Sequence, residues 1–195
     1  MQAIQGAVMQ HREQIRQDTY NWLTSCSTGM ELADLVARML GSQVANTGDM
    51  PRWLGLSRVE FTSMMRLLFP TADTGQFDHY GKELDIARSD EHDELRQLFL
   101  SHADADPRIN EWLADILVAG CMGGDHLWQD LGLWSRKDLT ALIRTAFTPL
   151  ADKNVQDMKW KKFFYKQLCV QEGVYTCRAP SCQVCPDYQE CFGPE

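Results

Sequence analysis

MELADLVARMLG, residues 30–41, sets Leu32, Leu35, Val36, Met39 and Leu40 at intervals of three and four, with Asp34 and Arg38 on the other side. That period puts one apolar stripe on an α-helix, and the stripe needs further helices to cover it. Gly41 is the expected terminator. Upstream, residues 1–25 carry the same period more weakly, through Ile15, Trp22 and Leu23 in a Gln- and Arg-rich segment.

Downstream, Asn46 to Pro51 is a loop by its turn residues. Ser57 and Glu60 then have the spacing of a capping box ahead of Phe61, Met64, Met65, Leu68 and Phe69, with Pro70 as the stop. Residues 71–83 show no period and form a long connection, expected to be functional or mobile. A helix is predicted from Asp90 to about Ser101, with Leu95, Leu98 and Phe99 inward. Asp106-Pro107 opens another, carrying Ile109, Trp112, Leu113, Ile116 and Leu117 until the glycines at 120, 123 and 124. Ser135 and Asp138 precede Leu139, Leu142, Ile143 and Phe147, with Pro149 as the expected stop. The last helix carries Trp160, Phe163, Phe164 and Leu168 and ends near Gly173. No stretch alternates apolar and polar residues between hairpin turns, and no repeat recurs at a fixed period. All-α is the expected class: one helical domain over residues 1–173 and a cysteine-rich cluster-binding tail over 174–195.

The chain has 195 residues, 44% of them hydrophobic, which suffices for one sizeable core. A formal charge of -8 and a pI near 5.1 argue against nucleic acid as the main partner, because phosphate binding needs a basic surface. The opening MQAIQGAVMQHREQIRQ has no basic start followed by an apolar run, and no stretch is apolar enough for a membrane span, so a cytoplasmic location is expected. In a reducing compartment seven cysteines, an odd number, point to metal binding or reduced thiols rather than to a disulfide framework.

Four of those cysteines fall in CRAPSCQVCPDYQEC, residues 177–191, as Cys177-x4-Cys182-x2-Cys185-x5-Cys191. Two prolines and short intervals leave no room for a helix of useful length, and the segment reads as a loop wrapped around an inorganic centre. Structural zinc usually takes two ligand pairs from separate knuckles, whereas these three intervals run consecutively. The Cys-x4-Cys-x2-Cys opening matches the first three ligands of plant-type ferredoxins, so an iron-sulfur cluster is favoured over zinc and over incidental thiols. Lys159, Lys161, Lys162 and Lys166, with Arg178, put positive charge beside a site that thiolates would make anionic; a solvated helix face is the plainer reading of the same lysines.

The terminal block MKWKKFFYKQLCVQEGVYTCRAPSCQVCPDYQECFGPE and the interior GCMGGDHLWQDLGLWSR resemble the NifQ family. The resemblance implies a function in nitrogen fixation: carrying molybdenum on an iron-sulfur cluster for assembly of the iron-molybdenum cofactor, with delivery to the NifEN scaffold together with NifH and molybdate as the metal source. It also implies a three-iron cuboid, [3Fe-4S], with a corner open to molybdenum. Three irons need three thiolates, which would leave one of Cys177, Cys182, Cys185 and Cys191 to ligate the heterometal or stand aside. Molybdenum would seek harder donors as well, and Cys121, Asp125 and His126 in the Gly-rich break are the best auxiliary set, with His102 a second. The plainer readings are a helix carboxyl cap with a locally bonded histidine, and a helix-end histidine beside a capping aspartate.

No Gly-rich phosphate loop, no nucleophile with an identifiable base and no paired carboxylates on one helix face are present in the sequence, so a carrier rather than an enzyme is expected. Two rivals stay open. One is an electron carrier with a complete [4Fe-4S] cluster, the other an interaction module whose tail is stapled by zinc.

Overall fold

The structure, a computed structural model, describes residues 2–83, 89–171, 173 and 188–193. It is all-α. Ten helices occur among the described residues: α1 (Gln2–Ser25), α2 (Glu31–Val44), α3 (Arg58–Leu68), α4 (Ser89–Leu100), α5 (Pro107–Cys121), α6 (Leu127–Asp130), α7 (Arg136–Ala146), α8 (Thr148–Ala151), α9 (Trp160–Gln171) and α10 (Tyr188–Phe192). Two 3-10 turns, Arg52–Gly55 and Thr74–His79, interrupt the connections, and the described residues contain no strand, only one bridge between Pro51 and Lys82.

The helix starts follow their capping chemistry. The Ser57 hydroxyl accepts from Glu60 N–H at 3.2 Å while the Glu60 carboxylate accepts from Ser57 N–H at 3.1 Å, so two otherwise unbonded donors are satisfied reciprocally. Asp106 accepts from Arg108 N–H at 2.9 Å with Pro107 in the first turn of α5, and Ser135 accepts from Asp138 N–H at 3.2 Å at the start of α7.

One core joins these helices. α5 runs through it with Leu113, Ile116, Leu117 and Val118 fully buried, packed against α4 and α7. Phe99 of α4 bridges Phe147 at 5.3 Å and Phe164 of α9 at 4.8 Å, and Trp160 lies 5.7 Å from Phe164. Such aromatic pairs add to burial and fix where α9 begins. Trp160 also donates its indole N–H to the Thr140 hydroxyl at 3.2 Å.

Three local expectations are corrected. α2 does not stop at Gly41 but runs on to Val44, because a Cβ at Gly41 would stand 2.8 Å from the Arg16 carbonyl oxygen; the glycine lets α1 and α2 approach instead of ending a helix. Pro149 does not simply close α7, since it sits in the first turn of the short helix α8, where a missing N–H costs nothing. The tail does contain a helix, the five residues of α10. The 71–83 connection is pinned rather than loose. Phe77 is fully buried 5.9 Å from Phe61, and Asp78 accepts from the Trp53 indole at 3.0 Å and from Arg58 at 2.6 Å, which together hold its carboxyl below the usual range.

Candidate functional site

The glycine break after α5 is shaped by a buried carboxylate. Asp130 is only 2% exposed, and its side chain accepts from Asp125 N–H at 3.1 Å. A Cβ at Gly123 would run into that carboxylate, so only glycine fits there. Gly120 is needed for a similar reason: a Cβ there would meet Leu131 at 2.7 Å and Leu127 at 2.9 Å, the two leucines by which α6 sits on the end of α5.

Lys161, on the first turn of α9, ion-pairs with Asp130 and also donates to the Gly123 and Asp125 carbonyls at 2.9 Å each. Its side chain is 17% exposed. An ammonium has three protons, and here three acceptors meet them, which is what lets a charge pair survive burial. Lys161 is therefore not part of a solvated helix face; it is the clamp that ties the 123–126 loop to α9. Neither Asp130 nor this pairing carried a signal in the sequence, because the partners stand 31 positions apart.

The loop is braced from below as well. Asp49 N–H donates to the Asp130 carbonyl at 3.0 Å, Ser42 donates to the Gly132 carbonyl at 2.6 Å, and Gly48, at φ +86, lies so near that a Cβ would stand 3.1 Å from the Gln129 oxygen.

On the other side, Lys159 N–H donates to the Cys191 carbonyl at 2.8 Å, which fastens α10 to the start of α9. Cys191 and Phe192 are half-buried against the core, and Tyr188 stacks on Phe192 with centroids 4.6 Å apart. The turn leading into α9 is fixed in turn by Arg136, which donates to the Asp157 and Met158 carbonyls at 3.0 and 3.1 Å.

These three pieces enclose a cleft of about 230 Å³, lined by the loop from Gly123 to Leu127, by Lys159 to Lys162, and by Leu139 and Glu190. Of the residues singled out in the sequence, Asp125 and His126 line it, as do Lys159, Lys161 and Lys162. His126 N–H donates to the Gln129 side chain at 3.3 Å. Cys191 follows the lining residue Glu190, which sequence reasoning missed because nothing but its neighbour distinguished it. Cys121 is 3% exposed, in the core at the end of α5 and outside the lining. His102 is also elsewhere: its Nδ1 lies 2.9 Å from the Leu98 carbonyl and its Nε2 2.6 Å from the Lys153 amine, so both ring nitrogens are engaged. Cys177, Cys182 and Cys185 lie outside the described residues, as does Arg178. Among the described residues no three of His, Cys, Asp and Glu come close enough to hold a metal ion. No described helix is long and apolar enough to cross a membrane.

The NifQ family model matches residues 35–193. Protein NifQ of Azotobacter vinelandii is 44% identical over 168 residues, which cover 81% of this chain and 86% of the relative. Protein NifQ of Klebsiella pneumoniae is 34% identical, covering 76% of this chain and 90% of the relative, and that of Rhodobacter capsulatus is 32% identical, covering 84% and 89%. No solved structure matches the chain. With a matching model that takes in both the clamped glycine loop and the tail helix bearing Cys191, the chain belongs to the NifQ family.

Proposed function

We propose that this chain is a molybdenum carrier of nitrogen fixation, holding the metal on an iron-sulfur cluster and giving it up for assembly of the iron-molybdenum cofactor. Cys177, Cys182, Cys185 and Cys191 are the proposed cluster ligands. Four thiols within fifteen positions suit a cluster in which each iron takes its own sulfur from the protein. When bound, the cluster supplies sulfide ligands for molybdenum. The chain's own part is to keep hard donors near the last thiol. The observation that carries this reading is the shared cleft: Asp125 and His126 on one wall, Glu190 beside Cys191 on another, and the start of α9, Lys159 to Lys161, bonded to both.

The site needs no nucleophile and no general base, and the proposed role is delivery rather than turnover. By family resemblance the proposed recipient is the NifEN scaffold, reached together with NifH, in the cytoplasm. Metal analysis of anaerobically purified protein, with visible and electron paramagnetic resonance spectra before and after molybdate, tests the proposal. Iron and acid-labile sulfide with a spectrum that changes on molybdenum uptake is the expected result; colourless protein holding zinc, or iron that never takes up molybdenum, would overturn it.

His126→Ala should leave iron content unchanged and lower bound molybdenum severalfold, because the imidazole lines the cleft while the proposed cluster ligands are all cysteines. Equal molybdenum loading in the variant would return His126 to a purely local role at the start of α6.

A further inference from the structure

We propose that the same cleft receives a tetrahedral oxyanion, bound by the ammonium groups of Lys159 and Lys162; this deepens the carrier reading and rests on it for the identity of the metal, though not for the binding itself. Several of the chain's cations already have a carboxylate partner. Arg38, Arg58, Arg96, Arg136, Arg144 and Lys161 each sit on a carboxylate within ion-pair distance. Lys159 and Lys162 line the cleft together with Asp125 and Glu190, yet neither lysine forms an ion pair with either carboxylate or with any other described residue. Lys159 reaches only the Gln189 carbonyl, at 3.5 Å.

Among the described residues these two ammonium groups, neither in an ion pair, share one concavity in a chain of net charge -8, whose wider field repels anions. Asp125, Glu190 and Lys162 are exposed, where water screens their charges, while Lys159 is half-buried and less screened, which makes it the stronger of the two anion contacts. Size narrows the ligand further. A cleft of about 230 Å³ is smaller than the sites that hold drug-sized or nucleotide-sized ligands, and it suits a small hydrated ion. A lysine amine serves such an ion as a point charge with three rotatable donors, so it can follow oxygen atoms of any tetrahedral oxyanion. Lys161 is not available for this, since its three protons are already taken up.

Molybdate, sulfate and inorganic phosphate share that chemistry, and competition separates them. Equilibrium dialysis of the full chain at low salt against labelled molybdate, with sulfate and phosphate as competitors, is the test, run on the unsubstituted chain and on Cys182→Ala. Saturable binding is expected in both, weakened about tenfold for each of Lys159→Gln and Lys162→Gln, the loss that accompanies one charge-assisted hydrogen bond. Lys137→Gln, exposed and outside the cleft, removes the same charge and should leave binding unchanged. Equal competition by all three anions and preference for molybdate both sustain the site and differ only in its physiological ligand. Absence of saturable binding, undiminished binding in the doubly substituted chain, or an equal loss in Lys137→Gln would overturn it. Iron content measured on the same samples tells the two ideas apart: oxyanion binding without an iron cluster removes the carrier reading alone, and an iron cluster without oxyanion binding removes this one alone.

Discussion

Lys161→Met is expected to destabilise the chain by about 3 kcal/mol, or roughly 6–12 °C in Tm for a domain of this size. Methionine keeps the length of the stem and removes the charge, so Asp130 is left as a carboxylate 2% exposed with no counterion. The Gly123 and Asp125 carbonyls lose their donor at the same time. Breaking a buried pair by deleting one partner costs far more than deleting both, because a stranded charge keeps its full desolvation penalty. Asp130→Leu placed on Lys161→Met should therefore recover a large part of the loss. Urea unfolding of the two variants measures it. A cost below about 1 kcal/mol for Lys161→Met, the range of exposed pairs, would show that the amine is held no more firmly than a surface lysine.

That pair marks the boundary of what the sequence could disclose. Helices α2, α3, α5 and α7 were legible because their buried residues repeat every three or four positions, and α3, α5 and α7 also because a capping Ser or Asp precedes them, both of which are local properties. Gly41 misled for a local reason too. Glycine after an apolar run commonly terminates a helix, and only the approach of α1 to within 2.8 Å of the missing Cβ shows that it serves packing. Arg52–Gly55 was equally hidden: Trp53, Leu54 and Gly55 all adopt φ above +50, and Gly55 leaves room for Ala119, 2.5 Å from where its own Cβ would stand.

For the candidate site, His126 and Asp125 could be found by donor type in a glycine-rich break, and the four-cysteine spacing by its density. Their meeting could not be read. It depends on Lys159, whose N–H holds the Cys191 carbonyl, and on Lys161, whose amine holds the Gly123–Asp125 loop, two residues apart at the start of α9. Lysines in sequence look alike whether solvated or clamped, since only long-range burial distinguishes them.

Cys182→Ala and Cys185→Ala are each expected to abolish iron retention while leaving helix content and Tm near those of the unsubstituted chain. The two effects separate because two different physical terms are involved. A thiolate bonded to iron has no substitute in alanine, so loss of a ligand removes affinity outright. Among the described residues the buried core, in contrast, runs from Leu23 to Leu168, upstream of the cysteine tail, and α10 adds the half-buried Cys191 and Phe192. Folding is then driven by apolar burial that neither substitution touches. Cys121→Ala is the counter-test, because that thiol lies in the core at the end of α5: it should cost about 1 kcal/mol in packing and leave iron bound. Iron analysis and far-ultraviolet circular dichroism on the three variants read both quantities. Iron retained in Cys182→Ala and Cys185→Ala would reject them as ligands. Collapse of helix content in either would show that the tail builds the fold rather than decorating it, and the metal centre would then have to be counted as structural.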